Sequence, residues 1–148
     1  GISTAFGCTI QGVVTDDDSI IAPAVLRITT VANAVKHFKF TPRGKRRIHQ
    51  KPNAGEVQAC RWWLDHEVAA VEPRLVVALG ATAAQSVLGK AIAVTRERGR
   101  IIEREDGLRV FVTIHPSFLL RIPDAAEAQA ERARFLKDMQ KIAELIAA

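Results

Sequence analysis

The sequence predicts an α/β layered domain with a mainly parallel sheet, on three observations. Strand-like apolar runs alternate with helical patterns along the chain. The run "RLVVALG" at 74–80 is short, continuously apolar and closed by glycine, as a strand buried on both faces would be. The stretch "NAGEVQACRWWLDHEVAAV" sets Val57, Cys60, Leu64, Val68 and Val71 on one helical stripe. At 148 residues, with 48% hydrophobic and 25% charged residues, this is one domain with a real core, and neither a disordered chain nor a fibre.

In chain order, residues 1–23 stay unassigned, because "TDDDS" interrupts every periodicity. "AVLRITTVA" at 24–32 is rich in β-branched residues and reads as a strand that delivers Asn33 to its carboxyl end. A basic loop follows, "FTPRGKRRIHQKPN" at 40–53. Asn53 then caps the long helix with Glu56 three residues on, and Glu72 and Pro73 stop it. The strand at 74–80 leads into a short helix, "ATAAQSVLG", with Gly89 as its cap. "GRIIERED" and "LRVFVTIH" flank Asp106 and Gly107, which predicts an antiparallel hairpin whose second strand ends at His115. After "PSFLLRIP", Asp124 caps a last helix at about 125–147, with Phe135, Met139, Ile142 and Leu145 inward.

Charge is the most informative bulk property once it is located. The net charge of +5 divides into −2 over residues 1–35, zero over 52–148 with 13 cations and 13 anions, and +7 over the stretch between. That stretch holds Lys36, Lys39, Arg43, Lys45, Arg46, Arg47 and Lys51 with no acid. So concentrated a patch is the footprint of phosphate-backbone binding; the bland reading is a solvated basic loop. No apolar run nears the roughly 20 residues that span a bilayer and the start lacks a signal-peptide pattern, so the expectation is a cytoplasmic protein that does not engage a membrane. Cys8 and Cys60 do not make a disulfide framework; they read as core thiols or metal ligands.

Ligands of open parallel sheets sit beyond the carboxyl ends of the strands. Asn33, the basic loop with His49, and "HPSFLLR" at 115–121 are all expected at that edge. Asn33 there is either a turn residue or one donor and one acceptor for a base edge. His115 alone is more often structural; Pro116 fixes the backbone after it, and Ser117 offers a hydroxyl or amide to a phosphate. "FLL" beside Arg121 suits a wedge in a base stack as readily as core packing. Three cations directly before His49 disfavour a fourth positive charge and so favour the neutral, nucleophilic imidazole, though a plain phosphate-contacting histidine is equally consistent. "VVALGATAA" has neither GxGxxG nor GK[ST], which argues against a nucleotide loop.

Taken together, "NAVKHFKF", "GKRRIH", "ACRWWL", "VVALGATAA" and "TIHPSFLLR" resemble the uracil-DNA glycosylase superfamily, close to family 4 and to its UdgX type with a KRRIH loop. The resemblance runs from about Asn33 to Ile122. It implies a three-layer α/β/α sandwich around a four-stranded, mainly parallel central sheet. It implies a DNA-repair glycosylase that flips and excises uracil, acting as a monomer on uracil-containing DNA, best when single-stranded. By resemblance Asn33 reads the uracil edge, His115 stabilises the departing uracil anion, and Ser117 and Arg121 grip the backbone. Lys45, Arg46 and Arg47 hold phosphates, with Arg47 assisting catalysis, and His49 attacks the anomeric carbon to leave a covalent adduct.

The family also implies a 4Fe-4S cluster on four cysteines. Cys60 matches the last of these, and His37 stands where relatives carry the third. No CxxC occurs in this chain, and the family's first motif, with its acidic residue and following aromatic, is not found, so the amino-terminal part reads as atypical or truncated. The alternative reading is a non-catalytic nucleic-acid-binding domain that kept the basic loop.

Overall fold

In a computed structural model, the structure describes residues 7–10 and 30–148, with side chains from residue 32 onward. The expectations for residues 11–29, including most of the 24–32 strand, lie outside the described residues. The main sheet has the order β2-β1-β5-β7-β6, with β1 at Gly7–Ile10, β2 at Thr30–Asn33, β5 at Val76–Leu79, β6 at Arg100–Glu103 and β7 at Arg109–Thr113. A separate two-stranded ribbon pairs β3 (Phe40–Arg43) with β4 (Arg46–His49).

This corrects the expected four-stranded parallel sheet. The described sheet has five strands and is mixed, with β5 and β7 its one parallel pair; β1 is antiparallel to both its neighbours, and β6 to β7. An apolar run gives burial but not strand direction, and direction is what differs here. The shared strand edge survives the change. Because β1 is antiparallel to β2 and to β5, strands β2, β5 and β7 all run the same way. Asn33, Gly80 and His115 therefore leave the sheet at one edge.

Helices cover both faces of the sheet. Alternate strand residues Val76, Ala78, Val110 and Val112 pack against Leu64 and Val68 of α1 (Ala54–Val71) and Ala83, Ala84 and Val87 of α2 (Ala81–Leu88). The opposite set, Leu75, Val77 and Phe111, packs against Ile142 and Ile146 of α4 (Ala125–Ala147), with Met139 and Leu145 at its margin. A four-residue α3 (Val94–Glu97) and a 3-10 helix at Pro116–Arg121 complete the described elements. The period-2 alternation on β5 and β7 thus supplies two cores from one pair of strands.

The local signals read from the sequence are the ones that form. Asn53 Oδ1 accepts from the Glu56 amide at 2.9 Å while Glu56 Oε2 accepts from the Asn53 amide at 2.7 Å, a complete capping box. Glu72 ends α1 in the left-handed region at φ 48°. Asp124 Oδ1 accepts from the Glu127 amide at 2.7 Å at the start of α4. Gly107 takes φ 83° in the β6–β7 turn, where Asp106 pairs with Arg104, and that pairing holds the Asp106 carboxyl down at about 2. None of the helices among the described residues is long and apolar enough to cross a membrane.

Candidate nucleic-acid interface and catalytic site

The basic segment, expected as a loop, is a β-hairpin. Gly44 at φ 60° lets the chain turn over Gly44 and Lys45, and Phe40 pairs with His49, Thr41 with Ile48, Pro42 with Arg47 and Arg43 with Arg46. All eight strand positions are exposed. Alternation then splits the cations: Arg47 shares a face with His49, Phe40 and Phe38, while Arg46 shares the other with Ile48 and Arg43, and Lys45 sits in the turn. Contiguous charges in sequence are not one rail in space. Lys39 anchors the ribbon to α1 through Glu56 Oε2 at 2.8 Å; that lysine, with the Asn53 amide, lowers the Glu56 pKa.

A cavity of about 670 Å³ opens at the carboxyl edge of the sheet. His49 and Lys51 enter it from the hairpin side, Gly80, Ala81 and Thr82 from the start of α2, and Ile114, His115, Phe118 and Arg121 from the segment after β7. The two histidines of the sequence argument thus meet at one cavity although 66 residues separate them in the chain. Asn33 ends β2 on the same sheet edge, exposed, but does not line the cavity; nor do Lys45, Arg46, Arg47 and Ser117.

His115 is held in a defined tautomer. Its Nδ1 accepts from the Ser117 amide at 3.1 Å and lies 2.8 Å from Ser117 Oγ. A nitrogen that accepts a backbone N–H carries no proton of its own, so in the neutral ring the proton sits on Nε2. Burial first, and the nearby Arg121 charge second, lower the His115 pKa below its ordinary 6.5. Ser117 is therefore a positioning group for His115 in this structure. Gly80 approaches from the other side: a Cβ there would lie 3.3 Å from His115 Cβ, and its φ of 88° disfavours any side chain. The amide end of α2, with no side-chain cap, opens beside His115 and favours an anion there.

The cavity's far wall comes from residues the sequence reading passed over: Val94, Thr95 and Arg98 around α3, and Glu127, Glu131 and Arg134 on α4. Arg98 donates to Asp138 Oδ2 at 2.8 Å and to Glu131 Oε2 at 2.5 Å; burial opposes its charge, but these two carboxylates raise its pKa overall. Asp138 Oδ2 also accepts from Thr113 Oγ1 at 2.6 Å, which ties the end of β7 to α4 just before His115. The only sequence signal was the i, i+4 spacing of Glu127 and Glu131, which on an amphipathic helix reads as a solvated face.

His37 and Cys60 do come together: Cys60 Sγ lies 3.7 Å from His37 Nδ1 and accepts the Lys36 amide at 3.3 Å. Cys60 is buried with Val35 and Val57, and His37 is half exposed beside Glu56. The residues present do not fit a four-thiolate iron-sulfur cluster. The sequence has two cysteines, Cys8 lies on β1, and no group of three or more metal-ligating side chains occurs among the described residues. The core-thiol reading accounts for Cys60 as the structure has it.

The structure is an α/β domain, a mixed sheet sandwiched by helices, with two histidines and a basic ribbon at one strand edge. The family model of the Uracil DNA glycosylase superfamily matches residues 24–140, and the chain belongs to that superfamily. It is 38% identical over 74 residues to a type-4 uracil-DNA glycosylase of Thermotoga maritima, covering 49% of this chain and 38% of that protein. It is 42% identical over 69 residues to a type-5 uracil-DNA glycosylase of Pyrobaculum aerophilum, covering 45% of this chain and 30% of that one. The matched stretch is thus well under half the length of either relative.

Proposed function

We propose that this chain is a uracil-DNA glycosylase domain of the UdgX type, which takes a uracil flipped out of single-stranded DNA and becomes covalently attached through His49. The observation that carries the reading is the convergence of His49 and His115 on one cavity from separate elements. Flipping is required because the glycosidic bond is out of reach within a base stack. As the C1′–N1 bond breaks, its electron pair goes to the base, and Nε2–H of neutral His115 donates to the uracil anion. An imidazole nitrogen of His49 forms the new bond to C1′ and gives up its ring proton to solvent. Asn33 would read the base edge once a strand spans the sheet edge, and Arg121 with Ser117 would hold the backbone. Arg43 and Arg46 stand directly opposite each other on the hairpin, a repulsion that a phosphate between them would relieve. Arg47, on the opposite face beside His49, would make the closer backbone contact, with Lys45 in the turn between the two faces.

The test is a denaturing gel of the protein with a labelled uracil-containing single strand, beside a thymine control and His49→Ala. A uracil-specific retarded band that survives denaturation and is absent in the variant is the expected result. Strand cleavage after alkali without such a band would mean that water, and not His49, attacks the sugar. An intact strand with no band would leave the second reading, a non-catalytic DNA-binding domain. That reading draws on the position of Asn33 outside the cavity.

A further inference from the structure

The ribbon carries an aromatic cluster that the glycosylase chemistry above does not use. Phe38 and Phe40 stack at 5.6 Å between ring centroids with planes 20° apart, Phe38 lies 5.5 Å from the His49 ring, and the Arg47 guanidinium sits 4.8 Å over the Phe40 ring. Both phenylalanines keep 39% of their surface in water and belong to none of the three buried clusters. Packing alone explains this arrangement poorly. A two-stranded ribbon gains little from two rings that stay so exposed, and the Lys39–Glu56 pair already ties it to the body of the protein.

We propose that Phe38 and Phe40 form a stacking platform for an unpaired base next to the target nucleotide. The inference rests on the reading that this chain acts on DNA, and it names the determinant of strand preference. Aromatic rings interleaved with cations on an acid-free ribbon are what a single strand requires: its bases have free π-faces for the rings, and its phosphates pair with the arginines. A duplex hides those faces in its own stack and offers this surface only its phosphates. Because Phe38 touches the His49 ring, a base held on the platform fixes the neighbouring sugar close to His49. The same contact would serve as a ruler, setting how the strand enters the cavity.

The experiment uses strands without uracil, so that it reads the platform independently of excision. Fluorescence anisotropy is measured on oligothymidylate, on a strand of equal length with abasic residues, and on a duplex. Wild-type protein is expected to bind oligothymidylate roughly five- to a hundredfold more tightly than the abasic strand. Replacing both rings, Phe38→Leu with Phe40→Leu, is expected to close that gap while the affinities for the abasic strand and duplex stay within about twofold. A wild-type protein that does not distinguish the two single strands overturns the platform without needing any variant, as does a gap that persists in the leucine protein. Loss of the platform with a surviving uracil-specific adduct would leave the glycosylase reading intact. Platform binding without excision or adduct would support the stacking site and sink the glycosylase.

Discussion

The pair β5 and β7 and the ribbon β3–β4 are both short strands, yet they are opposite solutions to the same backbone. Val76, Val77, Ala78, Val110, Phe111 and Val112 are at most 3% exposed, covered on both faces by helices. Every strand position of the ribbon is exposed and the ribbon has no acidic residue. The first region holds the fold together and the second is where we propose that the ligand binds, so the two should respond to substitution in opposite ways. His49 from the ribbon and His115 from the segment after β7 meet at the cavity, which joins the two regions.

The comparison breaks most visibly in the core. Phe111 is fully buried between the sheet and α4, and Phe111→Ala should cost about 4 kcal/mol, a large part of the total stability of a domain this size. Urea unfolding monitored by circular dichroism reads it; a loss under 1 kcal/mol would mean that α4 is not seated on this face. At the junction, acid should act on both regions together. The His115 pKa is lowered, so below pH 6.5 the unfolded chain takes up a proton that the folded one resists. Stability from this residue is present above pH 6.5 and is lost as pH falls toward the folded pKa. If neutral His115 is the working donor, uracil release should hold through pH 6.5 and fall only at lower pH; rates measured from pH 4.5 to 8 would show the arm, and a loss already beginning above pH 7 would contradict it.

The smallest effects separate the two faces of the ribbon. Arg46→Ala and Arg47→Ala should each change stability by less than about 0.5 kcal/mol, being exposed. On single strands each phosphate contact contributes about 0.7 to the slope of log affinity against log salt. Arg47, on the His49 face, should lose that share fully, and Arg46 should lose less. Equal losses would mean that the strand wraps both faces. Reversed losses would place the backbone on the side away from His49.

What was legible in the sequence follows from the kind of signal each element carries. The α1 capping box, the buried run of β5, the Asp106–Gly107 turn and the Asp124 cap are local rules, and each has its hydrogen bond in the structure. Strand direction is decided by partners far away in the chain, so the mixed sheet could not be read from apolar runs. The ribbon escaped for another reason. With both faces in water its residues show no apolar alternation, and Pro42 with a block of cations reads as loop. For the site, His49, His115 and Arg121 were visible because their residue types are unusual at a strand edge. Arg98, Glu127 and Glu131 were not, since charged residues on a surface helix carry no mark of the cavity they help to close.

The turn at Gly44 has a consequence for heredity as well as for shape. On a ribbon exposed on both sides, what assigns His49 to the face it shares with Phe40 and Arg47 is whether an even or odd number of residues precedes it in the paired strand. A single codon gained or lost between Arg43 and Arg46 would leave the core untouched, yet it would shift the register by one and turn His49 to the other face. The nucleophile we propose is thus addressed by parity, and a deletion there should silence it as completely as replacing the histidine itself.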